Sequence, residues 1–134
     1  MIKVKRVYDP ADPSDGRRVL VDRLWPRGVP TKKARIDEWR KDLAPSDALR
    51  RWFGHDPKKW EEFRRRYRQE LGRKAEELKE LAGQARHGRI TFLFAARDEQ
   101  RNNAVVLEEL LEDVLPSRRP IQKAGAEQGR GCRA

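Results

Sequence analysis

The sequence predicts an α/β fold: a small single domain with a mostly parallel sheet flanked by helices, one of them a long amphipathic helix. Its 134 residues are enough for about one domain. Three short apolar segments, at residues 2–7, 19–21 and 90–95, have the composition of strands. Helical segments separate the strands after position 23, an alternation typical of parallel pairing between the second and last strands.

The three predicted strands differ in pattern. Residues 2–7 alternate apolar with cationic side chains, which is the period of a half-buried strand. Residues 19–21 and 90–95 are continuous apolar runs of the kind found in buried strands. About ten residues rich in Asp and Pro join the first two strands, too few for a helical crossover. These two strands are therefore either antiparallel neighbours or separated by another strand.

Between the second strand and the long helix, one short helix is expected and one segment is ambiguous. Thr31 is a candidate N-cap, but residues 34–43 are ambiguous between helix and extended structure. Ser46 is predicted to cap a short helix that ends at Trp52 or Phe53.

The long helix has the clearest signals. Asp56 as N-cap and Pro57 at the first helical position indicate its start. We expect one helix running to about Arg86, with Gly72 marking a bend at most. The arginines and glutamates outside its apolar stripe are expected to form i,i+4 pairs on a solvated face. The stripe itself consists of Trp60, Phe63, Tyr67, Leu71, Leu78 and Ala82.

The domain is predicted to span residues 1–116 and to be followed by a basic disordered tail, residues 117–134. A last helix capped by Asn102 or Asn103 is expected to end before Pro116. The tail has five cationic residues against one carboxylate, and it has a single large aliphatic residue. Such a composition does not offset the entropy cost of ordering. The tail is either a solvated end or a basic arm for a polyanion.

Composition excludes several classes of protein. Lys and Arg total 32 against 22 Asp and Glu, which gives a net charge of +10. No run of about 18 apolar residues exists, so we expect no membrane association, and the N-terminus lacks an apolar signal core. The single cysteine, Cys132, excludes an intramolecular disulfide framework and a thiolate-rich zinc site, and suits the cytoplasm. No metal site is predicted, and neither a cofactor nor an oligomeric state follows from the sequence.

Two loops at the carboxyl ends of predicted strands form the candidate site, because ligands bind there in open parallel sheets. Residues 22–28 follow the second strand and residues 96–103 follow the last. We expect Arg23, Arg27 and Arg97 to form a cluster able to bind a carboxylate or phosphate bidentately. Asp22 and Asp98 could position these arginines or act as bases. Alternatively, residues 22–27 are a buried, salt-bridged turn in which Trp25 is core packing.

Two further candidates are weaker. His55 precedes a helix and is either a general acid or base or a loop histidine bonded to local backbone. Lys41 and Asp42 form either a solvated pair or part of the binding surface. The predicted catalytic residues are Asp22, Arg27 and His55, and the predicted binding residues are Arg23, Trp25, Lys41, Arg97 and Asn102.

The segment Val-Asp-Arg-Leu-Trp-Pro-Arg-Gly at residues 21–28 resembles the hallmark of the YeaO-like proteins, a bacterial and archaeal family of unknown function with a DUF488-type domain. Residues 5–10 and 53–55, among others, extend the resemblance over about residues 1–115. The resemblance implies an α/β fold and no particular reaction. A broader, more distantly similar group has a cysteine at the strand end where this chain has residues 94–96, Phe-Ala-Ala. Related members often have a histidine in place of Asn103.

Two functions from different classes fit these observations. The first is an enzyme or binder of an anionic small molecule, such as a nucleotide or phosphate ester, at a cleft lined by aspartate and arginine. The alternative is a nucleic-acid-binding module that uses the basic helix face and tail. The first predicts a concave arginine-lined pocket, and the second predicts a continuous convex basic surface.

Overall fold

Four parallel strands form a single sheet in the order β1-β4-β2-β3. The computed structural model of the protein describes residues 2–114. Its strands are β1 (Ile2–Arg6), β2 (Arg17–Leu20), β3 (Glu38–Trp39) and β4 (Ile90–Phe94). The α/β fold class and the parallel pairing of the second and last strands are confirmed.

The last strand lies between the first two. Ile2 of β1 and Arg17 of β2 both pair with Ile90 of β4, and all three pairings in the sheet are parallel. This settles the question left open by the short connection between β1 and β2: the two strands are separated by another strand. The carboxyl ends of β2 and β4, the two central strands, consequently lie side by side at the same end of the sheet.

Five α-helices complete the described part of the chain: α1 (Thr31–Ala34), α2 (Asp47–Phe53), α3 (Trp60–Leu71), α4 (Ala75–His87) and α5 (Asn103–Val114). Three short 3-10 turns, Pro13–Asp15, Lys41–Leu43 and Pro57–Lys59, occur in the connections. Ser46 caps α2 as predicted, since its Oγ accepts a hydrogen bond from the Leu49 N–H.

Helices α2 to α5 pack against one face of the sheet. This main core combines alternate strand residues, such as Val19 and Phe92, with the apolar faces of the four helices. The opposite face has a smaller cluster around Leu20 and Leu93, which the loop carrying Trp25 covers. The sheet is therefore buried on both faces, in agreement with the continuous apolar runs at residues 19–21 and 90–95.

The expectation of one long helix is wrong. The chain forms α3 and α4, joined by a tight turn at residues 72–74. In that turn the Arg73 N–H donates to the Glu70 carbonyl at 3.1 Å and the Lys74 N–H to the Leu71 carbonyl at 2.9 Å. These i to i−3 bonds replace the helical pattern just where Gly72 lowers helix propensity.

Two smaller corrections concern the segment between β2 and α2. Thr31 is the first residue of α1 rather than its N-cap, which is Pro30 and makes no side-chain capping bond. The ambiguous residues 34–43 contain the edge strand β3. Backbone bonds to β2 fix this strand, because the Asp37 N–H donates to Arg18 and the Arg40 N–H to Leu20.

The expected basic tail at residues 117–134, with Cys132, lies outside the described residues. Within residues 2–114, no helix combines the length and apolar character needed to cross a bilayer.

Candidate functional site

A cleft of about 490 Å³ opens at the carboxyl ends of β2 and β4. Three parts of the chain form its walls: the loop after β2, the end of α2 with the loop that follows it, and the segment between β4 and α5. Its position agrees with the general rule that parallel sheets bind ligands beyond the carboxyl ends of their strands. Its volume is within the range of small-molecule pockets.

Asp22 is the acidic residue of the cleft, and the ends of both strands hold it in place. Its Oδ2 accepts a hydrogen bond from the Ala95 N–H at 2.9 Å. The Asn103 side chain donates to the Val21 carbonyl at 2.8 Å. Burial raises the pKa of Asp22, although the bond from Ala95, the Asn103 amide and the nearby His55 oppose the shift.

Four arginines also line the cleft: Arg23, Arg27, Arg50 and Arg51. Together with Asp22 they give the lining a formal charge of +3, four cations minus one carboxylate, with His55 neutral. A region with so strong an excess of guanidinium groups attracts anions, and each planar group can bind two oxygens of a phosphate or carboxylate.

Backbone and carboxylate contacts fix three of these arginines. The Arg23 Nε donates to the Pro45 carbonyl at 3.0 Å. Arg50 and Arg51 pair with opposite oxygens of Asp47, at 2.6 Å and 2.8 Å. The Arg50 Nε is buried and has no hydrogen-bond partner within the described residues. This cluster of three arginines around one carboxylate retains a net positive charge.

Aromatic rings form the apolar part of the cleft. Phe53 stacks on Phe63 with ring centroids 4.2 Å apart, and His55 lies 6.1 Å from Phe53. Gly54 and His55 both have positive φ angles, 54° and 58°, so the chain reverses sharply after α2. A left-handed conformation is uncommon for a residue other than glycine, and here it brings His55 to the wall of the cleft. Tyr8 also lines the cleft, and its hydroxyl donates to the Arg27 carbonyl at 2.9 Å.

Six of the eight predicted site residues line this cleft: Asp22, Arg23, Trp25, Arg27, His55 and Asn102. Arg97 and Lys41 are not among its lining residues. The Lys41 Nζ instead lies 4.5 Å from the centre of the Trp39 ring, a cation–π contact, and Arg97 is exposed beyond the cleft wall formed by Ala96. The structure thus brings Arg23 and Arg27 to one cleft and leaves Arg97 outside its lining.

Trp25 and Asn102 have structural contacts as well as a place in the lining. The Trp25 Nε1 donates to the Val29 carbonyl at 2.7 Å, and its ring meets Trp39 edge-on at 5.4 Å. Asn102 caps α5, since its Oδ1 accepts from the Val105 N–H at 3.0 Å. The positive end of the α5 dipole is therefore at the cleft.

Asp98 is predicted to position the arginine cluster, but its carboxylate contacts Gln100 and Arg101 instead. Its Oδ1 accepts the N–H groups of Gln100 and Arg101, and its Oδ2 pairs with the Arg101 side chain. The backbone bond from Gln100, followed by the other contacts, lowers the pKa of Asp98. Asp98 therefore organises the turn before α5.

Several lining residues were not predicted from the sequence, among them Tyr8, Arg50 and Arg51. Arg50 and Arg51 are three and four residues after Asp47, a spacing that predicts surface ion pairs and does not indicate that α2 borders a cleft. Asn103 belongs to the predicted site loop at residues 96–103, and the rule for parallel sheets is the signal that points to it.

Comparison with known proteins places the chain in a family. A family model described as "Inactive DUF488-N3 subclade" matches residues 1–129. The chain belongs to this inactive DUF488-N3 subclade. The family resemblance noted from residues 21–28 is thereby confirmed.

Curated relatives of this DUF488-N3 chain are uncharacterised. The chain is 42% identical to "Uncharacterized protein YeaO" of Escherichia coli K12 over 113 residues, which cover 84% of this chain and 98% of the relative. It is 44% identical over 112 residues to "Uncharacterized protein Rv3073c" of Mycobacterium tuberculosis H37Rv, covering 82% of this chain and 92% of the relative. No solved structure matches the chain significantly.

Proposed function

We propose that the protein binds an anionic small molecule, of the nucleotide or phosphate-ester class, in the cleft at the carboxyl ends of β2 and β4. The observation that carries this proposal is the excess of four arginines over one aspartate in a single concave site. Phosphate oxygens accept the bidentate hydrogen bonds that guanidinium groups donate, and the N-terminus of α5 adds a partial positive charge.

Binding, rather than catalysis, is the function that the site supports best. The description of the subclade as inactive favours it. The residues after β4 that line the cleft, Ala95 and Ala96, carry no nucleophilic side chain. Among the described residues no group of three or more His, Cys, Asp or Glu side chains is arranged to hold a metal ion.

The alternative, nucleic-acid binding through the basic helix face, has less support from the described residues. Arginines on α3 pair with carboxylates: Arg65 and Arg66 with Glu62, and Arg64 with Glu109. These ion pairs neutralise much of the charge that would contact a phosphate backbone. In the cleft only Arg50 and Arg51 form ion pairs among the described residues, both with Asp47, which leaves Arg23 and Arg27 without a carboxylate partner there.

Arg27 is the residue with which to test the proposal. Its side chain is exposed at the cleft rim, while its structural contact with Tyr8 uses the backbone carbonyl and survives any side-chain substitution. The experiment measures the melting temperature of the wild type and of Arg27→Gln with increasing ribose 5-phosphate, at constant ionic strength set with chloride. Ligands that bind only the folded state raise this temperature.

We expect ribose 5-phosphate to stabilise the wild type and to lose most of this effect in Arg27→Gln. A matched control is Arg65→Gln, which removes an exposed arginine of α3 and should respond as the wild type does. A further variant, Arg27→Lys, keeps the charge but loses the planar fork, and we expect an intermediate response. The proposal fails if ribose 5-phosphate acts no better than chloride, or if both glutamine variants lose the response equally.

A further inference from the structure

Asp22 restricts what can fill the cleft. A ligand with only anionic groups would bring negative charge toward a carboxylate that burial already disfavours as an ion. A carboxylate has about four acceptor positions, and the bond from the Ala95 N–H occupies one of them. The ligand must therefore carry hydrogen-bond donors in addition to the anionic group that the arginines bind.

The surroundings of Asp22 favour a flat ring as the part that carries those donors. His55 is exposed and Trp25 is half-buried, and both rings line the same cleft as Asp22. Phe53 and Phe63, which are 6% and 2% exposed, add apolar lining behind them. Ring surfaces of this kind stack with nucleobases, so a base is better matched here than a compact ammonium group or an open-chain polyol.

The common bases present different edges to a carboxylate. Adenine and cytosine place a ring nitrogen lone pair next to their amino group, and this lone pair would face a carboxylate oxygen. Uracil has one N–H between two carbonyl oxygens. Guanine alone has adjacent N1–H and N2–H donors, which match the two oxygens of a carboxylate without an opposing acceptor.

Resting on the proposed function, we propose that the cleft selects a guanine nucleotide. The Asp22 carboxylate accepts hydrogen bonds from N1–H and N2–H of the base, and the arginines bind the phosphate. Asp22 is then the specificity-determining residue. Arg27 contributes the same affinity whichever base the nucleotide carries. A site built to satisfy donors discriminates against analogues that lack them, since its own acceptor would be left unpaired.

The test compares dissociation constants of guanosine, inosine and adenosine 5′-monophosphates for the full chain, by calorimetry. We expect the guanosine nucleotide to bind about tenfold or more tightly than the adenosine nucleotide, with the inosine nucleotide, which keeps N1–H and lacks the amino group, between them. In Asp22→Asn this preference should fall to within about threefold. The asparagine side chain retains an oxygen able to accept from the Ala95 N–H.

Ribose 5-phosphate separates the two proposals. If it binds the wild type through Arg27 while the three nucleotides bind equally, the anion site stands and guanine selection is wrong. If no phosphate compound binds, both proposals fail. An N1-methylated guanosine monophosphate provides a measurement on the wild type alone, and undiminished binding of this compound would overturn the role of Asp22 even if Asp22→Asn does not fold.

Discussion

Asp15 shows how one buried carboxylate can organise one side of a sheet. Its side chain is fully buried, and its oxygens contact the Nζ of Lys3 at 2.8 Å and of Lys5 at 3.0 Å, together with the guanidinium of Arg18. Burial opposes ionisation, but the bonds from these three cations outweigh it and lower the pKa of Asp15. The aspartate joins β1 to β2 on the face opposite the helices, although these strands do not pair with each other.

Substitution Asp15→Asn should destabilise the protein by about 3–5 kcal/mol at neutral pH, because it leaves the buried guanidinium of Arg18 and the partly exposed ammonium groups of Lys3 and Lys5 without their partner. Since the pKa of Asp15 is lowered in the folded state, its contribution is complete above the ordinary aspartate pKa and is lost as pH falls toward the folded value. Urea unfolding of both proteins at several pH values measures this, and the difference between them should shrink in acid.

Asp113→Asn is the matched control. Its carboxylate is 66% exposed and pairs with Arg68 on the surface, so the change should cost less than about 1 kcal/mol. A difference between wild type and Asp15→Asn that stays constant from neutral pH into acid would contradict the linkage.

Phe63 has the packing expected of a core residue at the centre of the helix face. Its exposed fraction is 2%, and it contacts the rings of Phe53, Trp60 and Tyr67. Phe63→Ala should lower the free energy of unfolding by about 3–5 kcal/mol, because the substitution leaves a cavity. Chemical denaturation measures the loss. Leu24→Ala, at an exposed fraction of 60%, should have almost no effect.

The elements were predictable to different degrees. The strands of the centre were evident from residues 19–21 and 90–95, whose composition suits burial on both faces. The edge strand β3 was not, since two residues carry no periodicity and only their bonds to β2 define them. The turn between α3 and α4 could not be predicted from the apolar pattern either. Leu71 and Leu78 are seven residues apart and keep a helical spacing across it.

The N-terminus of helix α5 connects the fold to the cleft, because its capping residue also lines the cleft. Asn102 is 2% exposed, accepts from the Val105 N–H and donates to the Asp98 carbonyl at 2.9 Å. Asn102→Ala should cost about 1–2 kcal/mol through loss of the cap. Asn102→Asp keeps the capping oxygen and should recover part of that loss. Thermal unfolding measures both changes, and an unaltered stability of Asn102→Ala would show that the cap is dispensable.

For the whole molecule, the sequence predicts the position of the cleft better than the residues that line it. The rule for parallel sheets predicts that residues 22–28 and the start of α5 lie close together, and parts of both line the cleft. It did not indicate Arg50 and Arg51, because the packing of α2 against α3 determines where those side chains lie. Arg97 follows β4 by three residues, and strand polarity alone does not specify the direction of a loop side chain.

We predict that the domain folds without the tail at residues 117–134. Truncation after Pro116 should change the melting temperature by less than a few degrees, because residues 117–134 have too little apolar surface to contribute to a core. Differential scanning calorimetry of the full and shortened chains measures this. A much larger decrease would show that part of the tail, such as Ile121, docks on the domain.

The central place of β4 has a consequence for folding during synthesis. Neither β1 nor β2 pairs with the other, and both require β4, which begins at Ile90. As the ribosome makes the chain, roughly two-thirds of the residues are synthesised before β4 is available to pair with β1 and β2. Until then β2 can form only its short pairing with β3, and β1 has no partner strand. The sheet has high contact order, so closure is slow and comes late. During that interval the apolar segment at residues 19–21 stays unpaired on one side, where a chaperone that recognises extended hydrophobic chain would find it.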